Sequence, residues 1–329
     1  MKIIYDTSWH SKGGIGKYSE EIGKKLTGIE FFSYKGNPAS PLSALKITCK
    51  MIFEKESFFI LPGYIPPLFI KNRFFFTIHD LNHLDIPDNS SFMKRLFYKY
   101  VIKKGCHNAS KVLTVSEFSK DRIVKWSGVD PDKVIVVGNG VDSSFKPSEE
   151  KNNNTESGYF LCVSNRKTHK NEKRVIEAFS SANIDKNITL IMTGKVSIEL
   201  EELISNKKLK ERVIFTGYLT ERELINLYQK TIALLFPSLY EGFGIPVLEA
   251  MACGVPVITS KTTALSEIAG DAALLVDPEN TNEIMGAIER IISDSALQQD
   301  MIKKGLNRCR EFSWEKTTDK IAAQLKLQI

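Results

Sequence analysis

Short, nearly continuous apolar runs alternate with amphipathic segments along the whole chain. KIIYD, SFFIL, FFFTI and KVLTV read as strands in the first half, with helical patterns at about 15–27, 92–104 and 117–127. The second half repeats the theme with YFLCV, ITLIMT, RVIFTG, IALLFP and VPVITS, followed in turn by amphipathic segments such as TERELINLYQK. Strands apolar on both faces, alternating with helices, predict an α/β protein whose parallel sheets are covered on both sides. A chain of 329 residues fits two domains of ordinary size. The polar run KPSEEKNNNTESG has no apolar periodicity and reads as the linker, dividing residues 1–150 from 151–311.

In open parallel sheets, ligands bind beyond the carboxyl ends of the strands. One loop in that position carries chemistry: YEGFGIPVLEAMACGVPVITS, residues 240–260, follows the strand IALLFP. Gly242 and Gly244 permit close backbone approach, and Pro246 suits a helix beginning near Ile245. That start leaves Glu241 in the loop and puts Glu249 in the first turn, so the two carboxylates converge from different elements. The unpaired N–H groups and dipole of the helix face the same space as an anion site. Two carboxylates that accept hydroxyl donors beside such a helix end suit a sugar joined to phosphate. The plainer alternative is a first-turn glutamate that complements the dipole and glycines that serve only a turn; the whole constellation favours a ligand site.

Composition bounds the setting. Hydrophobic residues at 42% and charged residues at 26% are globular values. The five cysteines show no ligand-like spacing and nothing resembles a signal peptide, so a reducing, cytoplasmic location is expected. The most apolar region, FFILPGYIPPLFIKNRFFFTI, is broken by Gly63, three prolines, Lys71 and Arg73, and cannot supply the ~20 apolar residues of a membrane span. Charge is uneven: residues 1–150 hold 22 Lys+Arg against 16 Asp+Glu, and residues 151–329 hold 23 against 23. On the segment FMKRLFYKYVIKK, taken as a helix, Met93, Leu96, Phe97, Tyr100 and Val101 share one arc and Lys94, Arg95, Lys99 and Lys103 the other. It is either a covering helix or one that lies on an anionic membrane. No basic–aromatic nucleic-acid motif is present, so nucleic acid is not an expected partner.

EGFGIPVLE, together with VSEFSKDRIVKWSGVDPDKVIVVGNGVD and SNRKTHKNEKRVIEAF, resembles glycosyltransferase family four in order and spacing, over nearly the whole chain. The family comprises retaining enzymes with an E-x7-E signature that use nucleotide-sugar donors. The resemblance implies a GT-B fold: two Rossmann-like domains facing across a cleft, the acceptor side first and the nucleotide-sugar side second. FSWEKTTDKIAAQL would then be a closing helix, residues 312–329, packing back on the first domain with Trp314 as anchor. Carried over, Glu249 binds ribose hydroxyls, Glu241 lies by the transferred sugar, and amides around Gly242, Phe243 and Gly244 meet the sugar or diphosphate. Lys170 and Arg166 would offset the charge that grows on the leaving diphosphate, although many relatives carry the arginine nearer Ser164. Gly14, in SKGGIGKYSEEI, would expose its N–H to donor phosphate or acceptor; Ser19 at the third position excludes a G-x-G-x-x-G fingerprint.

His79, at the end of the strand FFFTI, would face the reacting sugar as acid, base or binder, while His83 is read as structural. Tyr218 and Leu219 would cup the base. No metal ligand set is seen, and the family works without a required metal. The expected function is retaining hexosyl transfer to a glycan or lipid-pyrophosphate-linked acceptor in surface polysaccharide, such as lipopolysaccharide, biosynthesis. NRKTHKN resembles mannosyl-transferring members, which makes GDP-mannose the first expected donor. The alternatives are a nucleotide-sugar epimerase of the same architecture and a non-catalytic nucleotide-sugar-binding protein. The latter would lack Glu241, His79 or Lys170; all three are present. The enzyme would be cytoplasmic, or peripheral on the inner face of the membrane.

Overall fold

The computed structural model describes residues 2–86, 90–149 and 158–328. It divides into two compact units, Met1–Gly140 with Ser313–Ile329 and Val141–Phe312. The changeover therefore lies at Gly140–Val141 rather than at 150–151, and residues 150–157 of the expected linker fall outside the described residues. Close packing explains the earlier boundary. Gly140 presses so tightly on Trp314 that a Cβ there would come within 2.2 Å of the tryptophan amide nitrogen, so the chain up to 140 stays with the closing helix Trp314–Lys326.

The first unit holds β1 (Lys2–Asp6), β2 (Ile29–Phe32), β3 (Ser57–Leu61), β4 (Phe74–Thr77), β5 (Lys111–Thr114) and β6 (Val134–Val136) in the order β2-β1-β3-β4-β5-β6, all parallel. β3 and β4 are buried along their whole length, as phenylalanine-rich strands covered on both faces must be. One face packs Phe59, Phe74, Phe76 and Ile102; the other packs Tyr5, Phe58, Phe75 and Trp314. The second unit holds β7 (Tyr159–Cys162), β8 (Thr189–Met192), β9 (Val213–Phe215), β10 (Ala233–Phe236), β11 (Val257–Ser260) and β12 (Leu274–Val276) in the order β12-β11-β10-β7-β8-β9, again all parallel. In each sheet the strand order reverses direction once, between β1 and β3 and between β7 and β10. Loops at such a switch point leave the sheet in opposite directions and open a crevice.

Helix boundaries differ from the sequence reading in three places. The helix expected at 15–27 spans Gly13–Lys25, its first turn built from glycines that the propensity pattern discounts. The helix expected at 92–104 is α-helical at Phe92–Phe97, π-helical at Tyr98–Ile102 and α-helical again at Lys103–Asn108. The Lys103 N–H reaches back five residues to the Tyr98 carbonyl, so a 100° wheel assigns faces wrongly beyond this turn. Tyr98 and Ile102 point inward, while Tyr100, expected on the apolar arc, is 62% exposed; Met93, also expected there, precedes the π turn and is 71% exposed for a reason other than that turn. Finally, the helix after the Gly-Phe-Gly loop spans Ile245–Ala252 and has no acidic residue in its first turn. Glu249 is its fifth residue and opens the second turn.

Candidate active site

Two loops at the β7–β10 switch point build the centre of the second unit. Lys170 ends the single 3-10 turn Thr168–Lys170 after β7, and Asn171 follows in the left-handed region at φ 60°. The Asn171 side chain stitches this loop to its neighbours, donating to the Pro237 carbonyl at 2.9 Å and the Pro278 carbonyl at 2.6 Å. The Leu239 N–H adds a bond of 2.7 Å to the His169 carbonyl. These ties bring the loop after β10 alongside, and Lys170 Nζ lies 2.6 Å from Glu241 Oε1, with both side chains only 14% exposed. The ammonium also sits 4.8 Å from the centre of the Phe236 ring. A charge so enclosed needs its partner.

The Gly-Phe-Gly loop fits its place by shape. Gly244 has φ 108°, and a Cβ there would meet Leu265 Cδ2 at 2.5 Å, so both conformation and packing require glycine. Gly242 is buried, and the Phe243 side chain, 5% exposed, anchors the loop edge-on against Phe312 at 5.8 Å. The helix Ile245–Ala252 has no capping side chain at its N-terminus, which leaves its first amides and the positive end of its dipole beside Glu241. About one turn along, Glu249 Oε2 accepts a hydrogen bond from the buried Tyr228 hydroxyl at 2.8 Å.

The remaining residues singled out in the sequence lie elsewhere. The Arg166 backbone is left-handed, φ 63°, and its guanidinium turns to Glu172, 2.9 Å away, and to the Thr193 carbonyl, over the Phe215 ring. It stands next to Gly194, which pairs through two backbone hydrogen bonds with Gly217. Tyr218 follows Gly217 and is 89% exposed; Leu219 is half-buried, and Thr220 opens the next helix with a capping box to Glu223. In the first unit, Gly14 is exposed in the first turn of its helix with open space where a Cβ would be, whereas Gly16 is the glycine that packing demands, its Cβ position lying 2.8 Å from the Trp9 carbonyl oxygen. His79 Nε2 donates to the Pro62 carbonyl at 3.0 Å, and its ring meets Tyr18 edge-on at 4.8 Å. Loss of solvent around the ring pushes its pKa down to about 4, so it is neutral at pH 7 with Nδ1 unprotonated. His83 packs near Tyr64 and Tyr98.

Residues 144–308 match the model of the glycosyl transferases group 1, and residues 18–145 that of glycosyltransferase family 4. The chain belongs to the family 4 glycosyltransferases. This glycosyltransferase is 27% identical over 264 residues to O-antigen chain mannosyltransferase B of Escherichia coli, covering 76% of the chain and 69% of that protein. It is 34% identical over 218 residues to O-antigen chain mannosyltransferase RfbU of Salmonella typhimurium, covering 65% of the chain and 60% of that protein. Among solved structures it is similar to Anabaena HepE in complex with UDP, at a TM-score of 0.78 and 18% identity, over 99% of this chain and 100% of that one. The fold is of the GT-B type. Among the described residues no helix of this glycosyltransferase is long and apolar enough to cross a membrane, and no group of three or more His, Cys, Asp or Glu could hold a metal ion.

Two contributors to the site escaped the sequence reading. Asn171 lies directly after SNRKTHK and could have been found as a candidate left-handed residue before a helix. Tyr228 sits among the apolar positions of TERELINLYQK, where nothing distinguishes it from a core residue.

Proposed function

We propose that this glycosyltransferase moves a mannosyl residue, with retention of configuration, from GDP-mannose to a lipid-pyrophosphate-linked glycan in bacterial O-antigen assembly. The observation that carries the reading is the enclosed Lys170–Glu241 pair beside an uncapped helix N-terminus. A cation, a carboxylate and the start of a helix within one crevice match the three parts of a sugar diphosphate: phosphate charge for Lys170 and the amides around Gly242, Phe243 and Gly244, and sugar hydroxyls for Glu241. Binding exchanges the pair. The diphosphate takes Lys170 from Glu241, and the sugar hydroxyls satisfy the carboxylate so released. As the glycosidic bond breaks, charge grows on the diphosphate, where Lys170 and the helix amides act on it. The departing phosphate helps take the acceptor proton, so no strong protein base and no metal are required.

Glu249 holds the ribose, and Arg166, Tyr218 and Leu219 form the nucleoside side. The first unit takes the acceptor. Mannose and the O-antigen setting rest on the names of two relatives, both O-antigen chain mannosyltransferases; a fold neighbour that holds UDP supports a nucleoside diphosphate, and guanine rests on the resemblance of NRKTHKN to mannosyl-transferring members.

The first unit also offers a surface for the membrane that would carry a lipid-linked acceptor. Phe92, Met93, Tyr100 and Phe69 are each more than 60% exposed among the exposed cations Lys94, Arg95, Lys99 and Lys104. Aromatic and thioether groups interleaved with cations suit the interface of an anionic bilayer, which supports a peripheral location on the cytoplasmic face as part of this proposal. Thermal stabilisation by a panel of nucleotide sugars, followed by release of free nucleoside diphosphate with and without lipid-linked acceptors, tests the whole reading. GDP-mannose should stabilise most and release GDP only with an acceptor. Conversion of the donor without acceptor would make it an epimerase, and stabilisation without turnover a binding protein.

A further inference from the structure

A carboxylate on a helix rotates freely unless a second group holds it. One group that holds Glu249 is Tyr228, from the helix Glu221–Lys230. The tyrosine is fully buried and its ring packs edge-on against Phe145 at 5.9 Å. Burial first, and the nearby Glu249 carboxylate second, push its pKa well above the ordinary value, so the phenol stays a hydrogen-bond donor throughout the physiological range. A phenylalanine would fill the same core volume without a polar atom to satisfy. The hydroxyl makes a charge-assisted hydrogen bond of 2.8 Å to Oε2. The same helix begins directly after the Tyr218–Leu219 loop, under the Thr220 capping box. One rigid element therefore carries the exposed tyrosine at one end and a group that holds Glu249 at the other.

We propose that Tyr228 is a positioning residue for the nucleotide: its hydroxyl sets the plane of the Glu249 carboxylate, and the preference of the site for a ribose over a deoxyribose depends on it. The proposal rests on the reading of Glu249 as the ribose-binding group. It does not touch chemistry at the sugar, so it acts on donor affinity and leaves turnover at saturating donor unchanged.

Calorimetric titration of wild type, Tyr228→Phe, Glu249→Gln and the double variant with GDP and UDP, and with the 2′-deoxy and 3′-deoxy forms of each, tests it. Wild type should lose at least roughly tenfold in affinity when the hydroxyl held by Glu249 is absent. Tyr228→Phe should weaken the ribonucleotide about three- to tenfold and leave the deoxynucleotide unchanged, raising the KM for donor with kcat kept. Adding Tyr228→Phe to Glu249→Gln should cost less than Tyr228→Phe costs alone, because a neutral amide oxygen takes a weaker hydrogen bond from the phenol than a carboxylate does. Because the ratio of two affinities is read on one preparation, partial loss of folded protein does not imitate the result. Full discrimination in Tyr228→Phe, or equal weakening of ribo and deoxy forms, overturns the proposal and leaves Tyr228 a core residue. Absence of discrimination in wild type overturns the ribose reading itself, and this proposal with it.

Discussion

The two units carry their charge in different places. In the second, Val141–Phe312, 24 Asp+Glu slightly exceed 21 Lys+Arg, and two cations are paired inside: Lys170 with Glu241, Arg166 with Glu172. In the first, Lys+Arg exceed Asp+Glu and the excess cations stand outside. His79 is deprotonated at pH 7 by burial, and the Asp6 carboxyl, 1% exposed, accepts from the Ser8 N–H while its Oδ2 has no hydrogen-bond partner. A pre-paired interior suits a charged, compact ligand that replaces one ion pair with another. An outward set of cations and aromatics suits an extended surface. The contrast predicts sharp mutational effects in the second unit and shallow, salt-dependent ones in the first.

The largest effects should come from the pair. Lys170→Ala and Glu241→Ala should each lower kcat by about 10²–10³, and the double variant by less than the product, because each single change already breaks the shared contact. Steady-state kinetics with GDP-mannose reads this; a Lys170→Ala enzyme of normal rate would return the lysine to a solvated loop role. Next comes Glu249→Ala, which should weaken nucleotide binding roughly ten- to a hundredfold, the equivalent of about 1.5–3 kcal/mol, with kcat less affected. A variant with unchanged affinity removes Glu249 from the ribose.

Acid should separate the units. In the second, burial, with Lys170 and Lys167 adding to it and Glu241 opposing, pushes His169 down to about 4. Unfolded histidine binds a proton near pH ~6.5, so between about 6.5 and 4 the unfolded state holds the extra proton and stability falls as pH falls. His79 contributes the same sign in the first unit. There, however, burial raises Asp6 to about 6, against the opposing pull of its Ser8 hydrogen bonds. Between about 6 and 3.8 the folded state holds that extra proton, which adds stability as pH falls. The two groups offset each other in the first unit and nothing comparable offsets His169. Hydrogen exchange at pH 7 and pH 5, corrected for intrinsic rates, should show β7, β8 and β10 losing more protection than β1, β3 and β4; the reverse order contradicts this account.

The smallest effect lies at the surface. Anionic vesicles should bind the enzyme weakly at low salt and release it as the Debye length shrinks from ~8 Å at physiological ionic strength to ~3 Å at 1 M. Phe92→Ser with Tyr100→Ser should reduce sedimentation with vesicles without changing nucleotide affinity. Equal partitioning onto neutral lipid, or none at low salt, leaves an ordinary covering helix.

How far the sequence could be read depended on whether a feature was local. KIIYD and SFFIL match β1 and β3 residue for residue, because central strands buried on both faces are written as uninterrupted apolar runs. The edge strand β2 alternates weakly and has two exposed central residues, and it went unread. EGFGIPVLE announced a ligand loop through glycines whose need is local, φ 108° at Gly244. What could not be read was pairing across distance: Glu241 meets Lys170 and Glu249 meets Tyr228 only because β7, β10 and their helices are neighbours in space. Arg166 shows the cost of that blindness: the sequence offered a loop cation for the diphosphate and could not show its pairing with Glu172 and the Thr193 carbonyl.

The π-helical turn at Tyr98–Ile102 makes the exposed aromatic face a matter of chain length rather than of residue identity. A π turn holds one residue more than the α-helix it interrupts, and each α-helical residue turns the chain by about 100°. Deleting a single residue within 98–102 would let the ladder close as uninterrupted α-helix and swing Phe92, Met93 and their flanking cations by about that angle against the helix that follows. The patch is thus phased by an insertion, and shortening the segment by one would turn Phe92, Met93, Lys94 and Arg95 relative to Phe69 and Lys104 while those side chains stayed the same.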